Sequence, residues 1–135
     1  ASKGNRFIPG KRPMSTMAPS MVFNSEGELT LITGSPGGSF IPAAILRVIS
    51  GVIDFDLNIG EATMLTRIHK DWPYSGLDYE TTLSSDIVKR LDAMGHKPEQ
   101  HKTLGSTQSI HIINDINYGY ADLRRPGASV STQSD

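Results

Sequence analysis

The chain has 135 residues, 37% of them hydrophobic, which suits one compact domain or a large piece of one. Thirteen Lys and Arg against fourteen Asp and Glu leave a net charge of −1, so no excess of either sign points to nucleic acid or an anionic membrane. The absence of cysteine excludes disulfides, thiolate zinc sites and a cysteine nucleophile.

Residues 1–19 carry Lys3, Arg6, Lys11, Arg12 and three prolines, with no acid. Proline biases the residue before it away from helix, so this reads as an extended basic leading segment. Its polar start has neither an initiator methionine nor a signal-peptide pattern, as expected of a piece cut from something longer. Met21-Val22-Phe23 and Leu29 to Thr33 are β-rich runs around Asn24 to Glu28, a hairpin signal with Gly27 suited to positive φ in the turn.

Gly34-Ser35-Pro36-Gly37-Gly38 follows, then a predicted helix over 39–52. Pro42 is tolerable only in the first turn, which sets where that helix starts. Its apolar residues cover nearly every face, which predicts burial on most sides. The run is also the longest apolar stretch of the chain, yet Pro42, Arg47 and Ser50 interrupt it, and it falls short of the roughly 18 residues a membrane span needs. Asn58-Ile-Gly-Glu61 has the capping-box pattern and opens a short helix to about Leu65. Ser85 is placed to cap another, with Ile87, Val88, Leu91 and Met94 as its stripe and Gly95 as its stop. Residues 77–82 alternate weakly as a strand, 107–113 form a better one, and 117–121 a last one after the Asn114-Asp115 turn. The Ser/Gly/Thr-rich tail 126–135 is expected to fray. The order predicts an α+β fold with a mainly antiparallel sheet.

Two features could carry chemistry. Gly37 and Gly38 lack Cβ atoms, so a ligand can approach the backbone, and their N–H groups can point outward together. Donors paired this way near a helix start favour a phosphate, a carboxylate or the oxyanion of a tetrahedral intermediate. A plain strand-to-helix turn is the alternative, and no Lys-Ser/Thr follows to make a P-loop. Ser15 and Thr16, bounded by Pro13 and Pro19, offer adjacent hydroxyls that a kinked loop could converge on one carboxylate, or that could belong to an ordinary turn. The four histidines (His69, His96, His101, His111) form no metal-ligand spacing. His111, between Ile110 and Ile112, reads as solvent-facing, and the mix Arg67 to Trp72 reads as a structural polar cluster.

Taken together, the pieces match a family. Pro9-Gly-Lys-Arg-Pro-Met-Ser-Thr-Met-Ala-Pro19 resembles the Pro-Gly-Lys-Arg-Pro-Leu-Ser-Ser-Met-x-Pro signature of γ-glutamyltransferases. Thr33-Gly-Ser-Pro-Gly-Gly-Ser39 resembles their glycine-pair motif. Asn58 to Ala62, Arg67-Ile-His69 through Trp72, Gly105 to Ser109 and Tyr118 to Asp122 fit the segments that follow, in order and spacing. The resemblance runs from about Asn5 to Gly127. Departures are Thr16 for the usual Ser, Thr66 for a Pro, and Asp122-Leu-Arg124 for Asp-Pro-Arg.

The resemblance implies an N-terminal nucleophile hydrolase, with residues 1–135 as the C-terminal portion of its small subunit within an αββα sandwich. A precursor (a zymogen) cleaves itself, and the new N-terminal threonine attacks the γ-amide of glutathione or another γ-glutamyl compound. The resulting ester passes to water or to an amino acid or peptide amine. Gly37 and Gly38 would form the oxyanion hole and Ser15 and Thr16 would hold the α-carboxylate. No cofactor or metal is expected. The expected partners are the rest of the small subunit and the large subunit, without nucleic acid or membrane contact, in a periplasmic or extracellular setting. No residue from Ala1 onward matches the nucleophile, so these residues alone are expected to be inactive. The alternatives are a cephalosporin-acylase-like amidohydrolase, or a non-catalytic remnant that binds γ-glutamyl ligands or pairs with a partner.

Overall fold

The computed structural model of the chain describes residues 5–73 and 76–132. Strands β1 (Ser20–Phe23) and β2 (Leu29–Gly34) form the expected hairpin, with Gly27 at φ +84° in its turn. A 3-10 turn at Gly38–Phe40 leads into helix α1 (Ile41–Ile53), with Pro42 in the first turn as anticipated. Helix α2 (Ile59–Met64) carries the full capping box: Asn58 Oδ1 accepts from the Glu61 N–H, and Glu61 Oε2 accepts from the Asn58 N–H.

The two-residue strand β3 (Ile68–His69), β4 (Gly76–Glu80), helix α3 (Ser85–Ala93), β5 (Lys97–His101), β6 (Gln108–Ile113) and β7 (Ile116–Ala121) complete the order. Asn114 and Asp115, both at positive φ, make the β6–β7 turn, a conformation these residue types tolerate better than most.

Two sheets result. The first, ordered β1-β2-β6-β7, is antiparallel throughout. The second, β3-β4-β5, pairs β4 with β5 in parallel through the α3 crossover. The α+β, mainly antiparallel expectation holds, but β5 was not foreseen, because Pro98 and the run of polar residues around it hide a strand. Pro98 is compatible with the sheet edge on which β5 lies.

The core sits between the first sheet and the α1–α2 pair, around Leu31, Val48, Ile59 and Ala62. Gly51 lets the two helices approach closely: a Cβ there would lie 2.9 Å from the Ala62 Cβ. Helix α1 is buried along one stripe, Ile41, Ala44, Ile45, Val48 and Gly51, rather than on most sides; Leu46 and Ile53 are exposed. Helix α3 buries none of its residues fully, and its N-cap is Ser84 rather than Ser85, with no side-chain cap bond.

His111 stands opposite Leu31 on the helix-facing side of the sheet, which corrects the solvent-facing expectation. Strict alternation therefore turns Ile110 and its neighbours Ile32 and Met21 to the other face, where Met21 and Ile110 are exposed. The tail passes beside β7 at Val130, whose methyl would meet a Cβ on Gly119 at 3.0 Å; residues 133–135 lie outside the described residues.

Candidate active site

The glycine turn hangs between the end of β2 and the start of α1. Gly37 (φ +139°) and Gly38 (φ +59°) both occupy conformations that a side chain resists. At Gly37 space is short as well, since a Cβ would meet the Gly105 Cα at 3.1 Å. At Gly38, among the described residues and apart from its two chain neighbours, nothing lies within 4 Å of such an atom. A side chain there is opposed by backbone conformation, not by crowding from these residues.

The carbonyls of Pro36, Gly37 and Gly38 are engaged. The Pro36 oxygen accepts from Ser35 Oγ at 2.7 Å and the Gly37 oxygen from the Phe40 N–H at 3.2 Å. The Gly38 oxygen accepts from the Ile41 N–H and, at 2.8 Å, from Thr16 Oγ1. Among the described residues, the N–H groups of Gly37 and Gly38 donate to no partner. In a planar trans peptide unit the C=O and N–H point opposite ways, so each inward-held carbonyl sends the next N–H outward.

The leading segment comes to this turn through Thr16, a contact spanning 22 residues. Ser15 uses its oxygen locally, accepting from the Met17 N–H at 3.2 Å, which leaves its own hydroxyl hydrogen free to donate. Thr16 instead spends its hydrogen on Gly38. To donate to a carboxylate it has to rotate and release that carbonyl.

Behind the turn lies a buried four-charge network. Arg67 Nη2 donates to Asp122 Oδ2 at 2.7 Å, and its guanidinium also donates to the Thr63 and Leu104 carbonyls and to Thr107 Oγ1. Arg124 grips both oxygens of Glu80, at 2.6 and 2.7 Å, and reaches Asp122 Oδ1 at 3.2 Å. Only Arg67 Nε lacks a partner among the charged atoms of this group in the described residues.

Burial works to raise the Glu80 carboxyl, but the bonds from Arg124 and from the Leu104 and Arg67 N–H groups outweigh it and hold the group below its ordinary value. Asp122 follows the same pattern: burial opposes ionisation, and the Arg124 N–H, the Arg67 guanidinium and the Thr107 N–H win. Burial, with Arg124 adding to it, pushes Arg67 down. For Arg124, burial is overcome by Glu80 and Asp122, and its value rises.

The sequence marked Arg67 as part of a structural polar cluster, Asp122 as the end of a family-like segment, and Arg124 only beside a departure from the family pattern. Glu80, the residue that links the two arginines through Leu104, carried no signal. The departures themselves are accommodated, since Leu123 points to solvent and Thr66 Oγ1 bonds Thr82 Oγ1 at 2.9 Å.

The unforeseen β5 also puts Asp78, Glu99 and His101 together, with ligand-type atoms within 4.8 Å of one another. His101 Nε2 is already bonded to Asp78 Oδ1 at 2.7 Å, and a hydrogen-bonded pair accounts for the arrangement. The His69 and His101 rings both stand edge-on to Phe40, with centroids 5.0 and 6.0 Å from it, just after the glycine turn.

Comparison with known proteins bears on what this assembly is. The sequence profile of the family described as gamma-glutamyltranspeptidase matches residues 1–132. The "Glutathione hydrolase proenzyme" of Escherichia coli (strain K12) is 42% identical over 121 residues, covering 89% of this chain and 21% of that protein. This chain therefore spans about a fifth of the length of that relative. A crystal structure of the Helicobacter pylori gamma-glutamyltranspeptidase T380A mutant superposes with a TM-score of 0.84 at 32% identity, covering 93% of this chain and 69% of that one. The Pseudomonas nitroreducens enzyme complexed with L-DON gives 0.85 at 31% identity, covering 98% and 70%. With a profile match over nearly its whole length and a shared fold, the chain belongs to the γ-glutamyltranspeptidase family.

Proposed function

We propose that these residues are the C-terminal portion of the small subunit of a γ-glutamyltransferase. The enzyme cleaves the γ-glutamyl amide of glutathione and related compounds through a γ-glutamyl-enzyme ester, and passes the acyl group to water or to an amino acid or peptide amine. The observation that carries this reading is the pair of unengaged N–H groups at Gly37 and Gly38, tied through Thr16 to the segment that bears Ser15.

In that reaction each step passes through a tetrahedral oxyanion. The two N–H groups donate to it, a preorganised arrangement that needs no reorientation as charge develops. The carbonyl of the bound amide gains less from the same donors than the oxyanion does, so they lower the barrier rather than merely tighten binding. Ser15 donates to the substrate α-carboxylate, and Thr16 joins it on turning from Gly38. The nucleophilic threonine, a self-cleaving precursor, the large subunit as partner and a periplasmic or extracellular location are parts of the same proposal, drawn from the family.

The test uses the full-length protein and a γ-glutamyl anilide. Self-cleavage into two subunits, anilide release and faster release on adding an amino acid acceptor are expected. A full-length protein that stays uncleaved and binds γ-glutamyl ligands without turnover would instead be the non-catalytic relative. Preference for an acylase substrate without a γ-glutamyl group would overturn the role given to Ser15 and Thr16.

A further inference from the structure

We infer that Ser35 is a positioning residue for this reaction: its hydroxyl, seated between the Ser106 N–H and the Pro36 carbonyl, sets the direction in which the Gly37 N–H points. The inference rests on the reading of Gly37 and Gly38 as oxyanion donors.

The peptide unit joining Pro36 to Gly37 is easy to turn. Gly37 lacks the Cβ that would restrict its φ, and rotation of the unit costs little unless something holds its carbonyl. Ser35 Oγ does so, donating to the Pro36 oxygen at 2.7 Å. The same oxygen atom accepts from the Ser106 N–H at 3.2 Å, which leaves its single hydrogen committed to Pro36. With the carbonyl drawn toward the 104–107 loop, the N–H of the same planar unit is directed away from that loop.

The loop behind Ser35 has little freedom to drift. The Leu104 N–H donates to Glu80 Oε1 at 3.0 Å, its carbonyl accepts from Arg67 Nη1 at 3.1 Å, and the Thr107 N–H donates to Asp122 Oδ2 at 2.8 Å. The buried charges thus fix the loop, the loop presents the Ser106 N–H, and Ser35 relays that position to the Gly37 peptide.

Gly105 makes the approach possible. It sits at φ +75°, and a Cβ there would lie 2.9 Å from Ser35 Oγ and 3.2 Å from the Pro36 oxygen. None of these groups touches the substrate in the proposed reaction. Ser35 acts through the orientation of a neighbouring amide.

The experiment compares Ser35→Ala, Ser35→Cys and Gly38→Val in the full-length enzyme, with kcat counted per self-cleaved, folded active site. Cysteine keeps the shape of serine but is a weak donor. Expected is a graded fall in kcat, with Cys between Ser and Ala and the Ala variant down roughly tenfold. That is less than the roughly 10²–10³ fall for losing an oxyanion donor outright. KM should stay within about twofold, because the ground state needs the donor less.

Normal kcat in Ser35→Ala beside a large fall in Gly38→Val overturns the inference and leaves the oxyanion reading standing. Normal kcat with only a lower melting temperature in Ser35→Ala overturns it too, since that is a merely structural role. Normal kcat in Gly38→Val overturns the oxyanion reading, and the inference with it. If Ser35→Ala does not accumulate, the Cys variant decides: reduced kcat at unchanged KM supports the role of Ser35, and wild-type kcat refutes it.

Discussion

In the Arg67–Glu80–Asp122–Arg124 network almost every polar atom has a partner inside the chain, whereas the glycine turn, linked to it through one loop, holds its carbonyls and leaves two N–H groups unengaged. Both regions are polar and both depend on backbone groups at the end of strands. The difference is where the hydrogen-bonding capacity goes. Buried charges left unpaired cost several kcal/mol, so the network has to close on itself. An exposed N–H can be left to water, and then to a ligand, at little cost. A satisfied polar cluster in the interior therefore reads as framework, and an unsatisfied pair of donors at a surface turn reads as a site.

The largest effect is expected at the network. Arg67→Met keeps the bulk of the side chain but strands Asp122 beside a lost guanidinium. Breaking one side of a buried pair costs about 3–5 kcal/mol, so the chemical-denaturation midpoint of the full-length protein should drop sharply. A midpoint within error of wild type would show that Arg124 alone can hold Asp122.

Acid probes the same region. Because Glu80 and Asp122 are held below their ordinary values in the fold, they contribute stability that is fully present above the unfolded-state range. That stability is lost as pH falls through the depressed values, from roughly pH 4 downward. Unfolding free energy followed from pH 7 to pH 2 should fall steeply in that window in the wild type and more shallowly in Glu80→Gln.

The glycine turn should respond mainly in rate. Gly38→Val puts a β-branched residue where the backbone holds φ +59°, a strain that is relieved by turning the peptide planes on either side. Loss of one oxyanion donor costs about 2.7–4 kcal/mol, or roughly 10²–10³ in kcat, so a steady-state assay should show kcat falling much further than KM rises.

Ser15→Ala with Thr16→Val sharpens the distinction between holding substrate and stabilising charge. Each lost charge-assisted bond to the α-carboxylate is worth about 1.5–3 kcal/mol, and the carboxylate is charged throughout, so the effect belongs mainly in KM. Thr16→Val alone also frees the Gly38 carbonyl and should add a small kcat loss that Ser15→Ala lacks. Equal kcat in the two single variants would mean that the Thr16–Gly38 bond contributes nothing to the turn.

The smallest effect is expected at the start of α2, the end opposite the Thr63 carbonyl that the network holds. Asn58→Ala removes half of the α2 capping box and should cost about 0.5–2 kcal/mol, typically near 1, with kcat and KM unchanged. Thermal unfolding beside steady-state kinetics checks both halves of that expectation.

Much was legible in the sequence because it is decided over a few residues. The β1–β2 hairpin around Gly27, the start of α1 at Pro42, the α2 capping box and the Asn114-Asp115 turn all follow from φ preferences and local hydrogen bonds. The glycine pair and the hydroxyl pair could be picked out for the same reason: their residue types limit what the backbone there can do. Tertiary structure alone decided which distant groups meet. Strand β5 exists because β4 offers it a parallel edge, although its own residues, Pro98 among them, argue against a strand. His111 faces the helices because the register against Leu31 puts it there. Glu80 joins two arginines 13 and 44 residues away, and Ser35 reaches Ser106 across 71 positions. Those contacts depend on closing long loops whose entropy is repaid only by the whole packed core, so no local pattern announces them.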